Sequence, residues 1–295
     1  MLHLNTHQRG LIIAALGVLV ITPDALFVRL IAVDHWTLAF WRTFLQGSTM
    51  LAISWAVERK SPILIITHTM TRGWLPVSLI AFSATAFIYS ITHTLVANTL
   101  VILASMPMFA ALISLVFLRI KLGRQTVGAI TFAMVGVMIV FWGRLGSGDL
   151  AGDLLAIFCA VSLAGVFACL NARKDLNAAA VTGLGSLGAS LISTGFGGAN
   201  IVTGDDLFLL VIVGVIILPI AFSLITQGAK MVSPSEVSLI MLLETALGPF
   251  WVWFVLSEQP PIQTLIGGGF IVCAIVLNAA FAFKPNRWVN HTRTY

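Results

Sequence analysis

The sequence predicts an all-α integral membrane protein whose ten transmembrane helices form two inverted five-helix repeats, with both termini in the cytoplasm. Three observations lead to this fold class: a very low charge content, a series of long apolar runs, and an uneven distribution of Lys and Arg. Of 295 residues, 59% are hydrophobic and 9% are charged, and the mean hydropathy is +1.02. Soluble domains carry about 25% charged residues. This composition therefore excludes a cytosolic enzyme, a nucleic-acid-binding domain and a disulfide scaffold.

Ten apolar segments are long enough to cross a bilayer, because about 20 helical residues at roughly 1.5 Å each span the hydrocarbon layer. The division between the third and fourth segments is the least evident, since residues 73–118 contain no Asp, Glu, Lys or Arg. These 46 residues are too many for one helix, and the polar residues 90–94 supply a turn between two. The predicted spans are residues 10–33, 36–57, 74–92, 94–118, 124–142, 152–171, 178–202, 207–228, 234–256 and 261–283.

The positions of Lys and Arg orient these spans, because loops rich in the two residues remain in the cytoplasm. With the N-terminus inside, 13 of the 16 basic residues fall on cytoplasmic segments. The exceptions are Arg29 and Arg144 on the outer side and Arg42 within a span. Both termini are therefore predicted to be cytoplasmic, which agrees with an even number of spans.

The two halves of the chain resemble each other weakly. An offset of 138 residues places Gln125-Thr126 on Gln263-Thr264, and the helix breaks correspond. Residues 10–142 and 152–283 then form one five-helix repeat each, followed by a cytoplasmic tail at 284–295. Because five is odd, the second repeat must be inverted in the membrane. Inverted repeats are typical of secondary transporters, with a substrate site between the halves, although a duplicated bundle can also be merely structural.

Three charged side chains lie six or more residues from either end of a predicted span, where each costs about 2.5 to 3.5 kcal/mol on insertion scales. Asp24 lies in the first span and Arg42 in the second, both in the outer half. They either form an ion pair that locks two helices or line a cavity in which Arg42 binds a substrate carboxylate. Glu244 is nearest the bilayer centre, with no basic partner evident at its depth. Glu244 and Asp24 are therefore candidates for a coupling proton or cation, and the alternative for Glu244 is a neutral carboxyl bonded to backbone.

Prolines within spans predict broken or kinked helices near these charges, because proline frees a backbone carbonyl. Pro23 directly precedes Asp24, and Pro249 follows Glu244 by five residues; Pro107 and Pro219 are two further examples. Trp41, Tyr89 and Trp251 are the aromatic candidates for a substrate-binding wall, although most such rings contact lipid or pack in the bundle. Asn98 and His93 either complete the site or cap a loop.

Other patterns are set aside. Residues 183–188 match GxGxxG, but they lie in an apolar span without a preceding strand, so close helix packing is expected there instead of a nucleotide site. His3 and His7 are spaced four apart in what reads as an N-terminal tail, and no metal site is expected. No HExxH or GxSxG pattern occurs. The sequence thus predicts no cofactor, no metal and no enzymatic activity.

Several motifs resemble the EamA-like group of the drug/metabolite transporter superfamily along essentially the whole chain. They are Phe40-Trp41-Arg42, residues 96–99, and residues 242–249 followed by Trp251-Val252-Trp253 and Leu256-Ser257-Glu258. The resemblance implies a central cavity lined by spans one to four and six to nine, with Arg42 and Glu244 as its best candidate residues. One departure is that the family's acid near the end of the fourth span is Glu258 in the second repeat but Ile120 in the first.

The sequence therefore predicts a multi-pass inner-membrane transporter that moves an amino acid or related small metabolite by alternating access, with export as the expected direction. Its expected partners are the substrate, the lipid bilayer and a coupling proton or cation, and not nucleic acid. The predicted binding residues are Asp24, Trp41, Arg42, Tyr89, Asn98, Glu244 and Trp251. The alternatives are a structural or regulatory membrane subunit, or a membrane enzyme acting on a lipid-borne substrate.

Overall fold

The computed structural model describes residues 5–94, 96–120, 122–142, 149–257 and 259–283. The predicted tail 284–295 and Glu258 lie outside these residues. Regular structure in the described chain is helical: α1 Thr6–Ile21, α2 Asp24–Leu30, α3 His35–Glu58, α4 Pro62–His93, α5 Val96–Ala104, α6 Met106–Val116, α7 Arg124–Val140, α8 Leu150–Ala172, α9 Ala178–Gly195, α10 Asp205–Val211, the π-helical segment π1 Ile212–Ile217, α11 Leu218–Ala229, α12 Pro234–Leu256 and α13 Ile262–Phe283.

Eight helical stretches of the described chain are long and apolar enough to cross a membrane. Helix α7 is apolar but shorter, at 17 residues. Helix α3 has 24 residues but is not among the eight, and it carries Arg42 and Gln46. The predicted all-helical membrane class is therefore confirmed, whereas the prediction of ten spans rests on adding α3 and α7 to these eight.

Three of the four prolines singled out from the sequence coincide with an interruption of regular α-helix, as predicted. The first span breaks at Thr22-Pro23, between α1 and α2. The fourth breaks at Ser105, two residues before Pro107, and π1 ends two residues before Pro219. A missing N–H and the bulk of the proline ring explain all three breaks. Pro249 differs, because α12 continues through it from Pro234 to Leu256.

The third span is longer than the sequence predicts. Instead of starting near residue 74, α4 begins at Pro62, where Ser61 caps its N-terminus by accepting a hydrogen bond from the N–H of Leu64. The helix bends at Gly73, whose φ of −117° and ψ of 22° depart from helical values. The apolar signal starts only after Arg72, which is why hydropathy places the boundary at the bend and not at the cap.

The helix pairs are equivalent in the two halves: replacing each helix by its counterpart in the other half gives the same set of contacts. Helix α3 packs on α9, α6 on α12 and α7 on α13, so each of these pairs joins corresponding members of the two halves. Helix α4 packs on α8, and its counterpart α11 packs on α1. This equivalence agrees with two repeats of one five-helix unit.

Glycines allow the closest of these pairs. A Cβ atom added to Gly47 of α3 would lie 2.8 Å from the carbonyl oxygen of Gly183 in α9. A Cβ atom on Gly136 of α7 would lie 2.7 Å from the carbonyl oxygen of Gly267 in α13. Both distances are below van der Waals contact, so backbone meets backbone at these crossings. Gly183 thus belongs to a packing face, as the GxGxxG pattern in an apolar span led us to expect.

We expect Gly136→Ala to lower the free energy of unfolding by about 1 to 3 kcal/mol, because the new methyl group must push α7 and α13 apart. Gly128 lies on the same helix with nothing within 4 Å of an added Cβ atom, so Gly128→Ala is the matched control. Alanine is the better helix former, and this control should leave stability unchanged or slightly raised. Thermal melting of the purified variants in detergent measures both; equal losses would contradict the packing assignment.

Candidate functional site

The break in the first span positions Asp24 inside the protein. Pro23 ends α1 and serves as the first residue before α2, whose first turn bonds back to it: the N–H of Leu26 donates to the Pro23 carbonyl at 2.9 Å. Asp24 is thereby the first residue of a new helix, close to unpaired backbone N–H groups that favour a negative charge. Its side chain is only 11% exposed. The break thus presents an acid to the interior of the bundle.

Arg42 of α3 binds this acid directly. Its Nη2 atom donates to Oδ1 of Asp24 at 2.8 Å and to Oδ2 at 2.7 Å, and the Arg42 side chain is 19% exposed. One guanidinium nitrogen therefore spans both carboxylate oxygens. The Nε–H group of Arg42 is buried and has no hydrogen-bond partner among the described residues. The ion pair leaves part of the donor fork of Arg42 unused.

The helix opposite Arg42 contains π1. A Cβ atom on Gly214 of π1 would lie 2.6 Å from Cβ of Leu45 and 3.4 Å from the carbonyl oxygen of Arg42. Glycine is therefore required for the turn of α3 that carries Arg42 to lie against π1. A π-helical turn inside an α-helix commonly marks a functional region.

Glu244 of α12 shares this site. It is partly exposed, and both Asp24 and Arg42 act on it electrostatically. The broken first span and α3 bring Asp24 and Arg42 close enough to α12 to act on Glu244 electrostatically, but Arg42 forms its ion pair with Asp24. Sequence position alone could not show this, since the three residues belong to three different spans.

Trp251, about two turns further along the same face of α12, is fixed to the same break. Its indole Nε1–H donates to Oγ1 of Thr22 at 2.9 Å, and the Thr22 hydroxyl in turn donates to the carbonyl of Leu19 at 2.8 Å. Thr22 is buried, and sequence reasoning did not select it. A hydroxyl directly before a Pro-Asp pair in an apolar run was the available signal.

Trp41 makes different contacts from Arg42, although the two are neighbours in sequence. Its indole Nε1–H donates to the carbonyl of Asn200 at 2.9 Å. The ring packs against an apolar cluster that includes Ile31, Leu38 and Leu210. The structure therefore places Trp41 in the packing between α3 and the segment before α10.

Tyr89 and Asn98 gather with new partners at the end of the bundle where α8 begins. The Tyr89 ring stacks on His93 with centroids 3.8 Å apart. Asn98 is buried, with its Nδ2 atom 3.5 Å from Oδ1 of Asp153, and the Thr94 hydroxyl donates to the same oxygen at 2.8 Å. Asp153 was not selected from the sequence, because it lies at the edge of its span, where charge is ordinary.

A second polar group lies at the end where α1 begins. His7 Nε2 lies 2.9 and 3.1 Å from the two carboxylate oxygens of Glu236, which also accepts a hydrogen bond from the Ser233 hydroxyl at 2.7 Å. His7 therefore belongs to α1 and does not lie in a free tail, contrary to expectation. A cavity of about 290 Å³ adjoins the pair. Its lining includes His7, Gly123, Thr126, Asn171, Ser233 and Glu236.

The loop residues at the opposite end form a shallow cavity of about 330 Å³ around Asp34, Thr37, Asn200 and Asp206. Burial alone would raise the pKa of Asp34, but hydrogen bonds from Thr37, Trp36 and Asn200 outweigh it and lower that pKa. Asp34 thus serves as the N-cap of α3. Within the described part of the chain, His, Cys, Asp and Glu side chains form no group of three that could hold a metal ion.

Comparison with known proteins gives two positive findings. The model of the EamA-like transporter family matches residues 8–142 and again residues 150–280. A solved crystal structure superimposes with a TM-score of 0.79 at 16% sequence identity, covering 92% of this chain and 98% of the other. At that identity the likeness establishes a shared fold alone. The comparison with curated proteins gives no match.

Proposed function

Because the chain belongs to the EamA-like transporter family, whose members are membrane transporters and not enzymes, we propose that it carries an amino acid or a related small metabolite across the inner membrane. The proposed direction is export, and the proposed mechanism is alternating access around a site between the two halves. Membership of the drug/metabolite transporter type agrees with the resemblance drawn from the motifs around Arg42 and Glu244.

The unused Nε–H of Arg42 is the observation that carries this proposal. A buried N–H without a partner costs free energy, and a carboxylate that reaches it recovers that cost through a charge-assisted bond. Asp24 already occupies Nη2, so a substrate carboxylate binds beside it and shares the guanidinium. Asp24 and Glu244 offer the negative charge that an α-amino group requires. One cation and two acids within one site fit both ends of an amino acid.

The wall of the proposed site comes from Trp251, which Thr22 holds, whereas Trp41 packs against the segment before α10 and Tyr89 and Asn98 lie at the end of the bundle where α8 begins. Glu244 and Asp24 are the proposed coupling residues, because a carboxyl in this position can bind a proton or cation in one state and release it in the other. Both acids interact with Arg42, so binding of substrate and of a coupling ion compete through one guanidinium. This competition is the physical basis of the proposed coupling.

The proposed topology has ten spans, obtained by adding α3 and α7 to the eight apolar stretches. The repeats comprise residues 10–142 and 152–283, and the termini, including the tail 284–295, are cytoplasmic. The two family matches and the exchange-symmetric pairing of helices support this division. The distribution of Lys and Arg supports the orientation.

The test begins with a melting-temperature screen of purified protein against amino acids and their derivatives, because a ligand that binds the native state stabilises it. Ligands that raise the melting temperature are then assayed for counterflow in proteoliposomes. Saturable counterflow of at least one stabilising ligand supports transport. A structural subunit predicts neither stabilisation nor counterflow, and an enzyme predicts a chemically altered product.

A further inference from the structure

At each end of the bundle, a polar contact joins the first span of one half to the fourth span of the other half. We propose that these contacts are the two gates of the transport pathway and that they open in alternation; the inference rests on the proposed function. The His7 latch is the pair His7–Glu236, which joins α1 to α12. The Asp153 latch is the contact of Asp153 with Thr94 and Asn98, which joins α8 to the α4–α5 turn.

The His7 latch combines a buried partner with an exposed one. The Glu236 side chain is 10% exposed and the His7 side chain 40% exposed. Glu236 also closes the capping box of α12 through Ser233, so it remains in place while the His7 ring is free to leave toward solvent. The adjoining cavity of about 290 Å³ supplies the space into which the pathway opens.

The Asp153 latch lies at the opposite end of the bundle. Asn171, at the far end of α8 from Asp153, donates to the carbonyls of Ala229 and Val232 beside the His7 cavity. The N-terminus of α8 must therefore lie away from that cavity. Thr94 donates to Asp153 at 2.8 Å, and Gly152 packs directly on Thr94, where an added Cβ atom would lie 2.8 Å from the threonine Cβ.

The two latches correspond under the exchange of halves. Helix α1 corresponds to α8, and α12 corresponds to the α5–α6 span, so each latch joins the same pair of spans; the offset of 138 residues places Glu236 on Asn98 but does not place His7 on Asp153. Gly10 near His7 also mirrors Gly152, because each packs on the turn that precedes the partner span. In inverted repeats, equivalent contacts lie on opposite faces of the membrane, which is the arrangement that two alternating gates require.

The His7 latch acts on the two helices that lead to Asp24 and Glu244. Glu236 precedes Glu244 by eight residues on α12, which is roughly 12 Å along a helix. His7 lies on α1, which ends at the break that carries Asp24. Release of the His7 latch therefore separates α1 from α12 between the His7 end of the bundle and the charges Asp24, Arg42 and Glu244. The Asp153 latch meanwhile keeps the other end closed.

The test uses cysteine labelling in lipid nanodiscs, where both faces are accessible and no substrate is needed. Cys159, Cys169 and Cys273 are replaced by alanine. Buried reporters are then introduced singly as Ser238→Cys, two residues from Glu236, and Ser90→Cys, whose native hydroxyl lies 2.7 Å from that of Thr99. Each reporter reacts with a maleimide only when its end of the bundle opens.

We expect Glu236→Gln to raise labelling of the Ser238→Cys reporter about tenfold and to lower labelling of the Ser90→Cys reporter, because a bond to a charged group has been weakened. Asp153→Asn should do the reverse. If Glu236→Gln does not fold, His7→Ala repeats the test, because it removes the exposed residue of the same latch. Glu58→Gln is the matched control: Glu58 also accepts a side-chain hydrogen bond, from Asn177, but joins α3 to α9.

Reciprocal labelling supports alternating gates. Loosening of the mutated end alone, no change at either end, or the same reciprocal effect from Glu58→Gln overturns the inference. The outcome is separable from that of the proposed function. Counterflow with no reciprocity overturns the latches alone, whereas reciprocity without transport of any ligand overturns the proposed substrate class.

Discussion

Replacing Arg42 with lysine is expected to lower counterflow about 10- to 100-fold while leaving the folded protein intact. Lysine keeps the positive charge and can still pair with Asp24, so the helix contact survives. It loses the Nε–H donor that has no partner within the described protein, and with it the fork that binds a carboxylate in two places. One charge-assisted hydrogen bond is worth about 1.5 to 3 kcal/mol, which gives the expected factor. The initial rate of counterflow in proteoliposomes, compared at equal reconstituted protein, measures the loss.

Neutral variants separate this role from a structural one. Arg42→Gln leaves Asp24 and Glu244 without the cation that acts on both, and removing one partner of a buried pair costs about 3 to 5 kcal/mol. We therefore expect Arg42→Gln to melt at a lower temperature. The double variant Asp24→Asn with Arg42→Gln removes the pair together and should recover most of the stability.

The double variant decides between the two interpretations of the ion pair. If Asp24 and Arg42 only lock α2 to α3, restoring stability restores function. If Arg42 binds substrate, the double variant is stable and inactive. A stable double variant with wild-type counterflow would remove Arg42 from the binding site and favour the interpretation of Asp24 and Arg42 as an ion pair that only locks α2 to α3.

The composition of the chain was sufficient to predict the fold class, because lipid imposes a strong and simple constraint. Helices alone satisfy their backbone within a single segment, and a long apolar run leaves little choice. Proline positions likewise predicted the break before Asp24, since the missing N–H acts locally. Pro219 also predicted an interruption of the eighth span, but not its π-helical form, because Gly214 of π1 packs closely on Leu45 of the neighbouring helix. The bend at Gly73 was not predicted, although Pro76 lies three residues after it and is a local signal for a kink.

The candidate site was predictable only in part for the same reason. Insertion cost singled out Asp24, Arg42 and Glu244, and the structure brings these three together. Aromatic candidates carried no such penalty, and Trp41 and Trp251 make separate contacts with Asn200 and Thr22. Charges near the ends of spans, such as Glu236 and Asp153, carry little insertion cost, so the sequence does not single them out. Their partners come from distant segments, so only the folded chain identifies them.

Replacing Glu244 with glutamine is expected to abolish transport driven by a pH gradient while preserving counterflow at equal pH. Glutamine has nearly the same shape and keeps a hydrogen-bonding carbonyl, but it neither binds nor releases a proton. Glu244 interacts with both members of the Asp24–Arg42 pair, so its charge sets how strongly Arg42 is shared between protein and substrate. In the variant, the division of Arg42 between protein and substrate no longer changes with pH. The pH gradient therefore no longer drives substrate transport.

The measurement compares net uptake under an imposed pH gradient with counterflow at symmetrical pH, in the same vesicles. Asp175→Asn is the matched control, because Asp175 is an exposed acid that pairs with Arg173 in the turn after α8. It should leave both rates unchanged. Loss of both rates in Glu244→Gln would make Glu244 a substrate ligand and not a coupling residue, since counterflow requires binding but no net proton movement. Retention of both would exclude it from either role and leave Asp24 as the coupling candidate, because Asp24 is then the acid that still competes for Arg42.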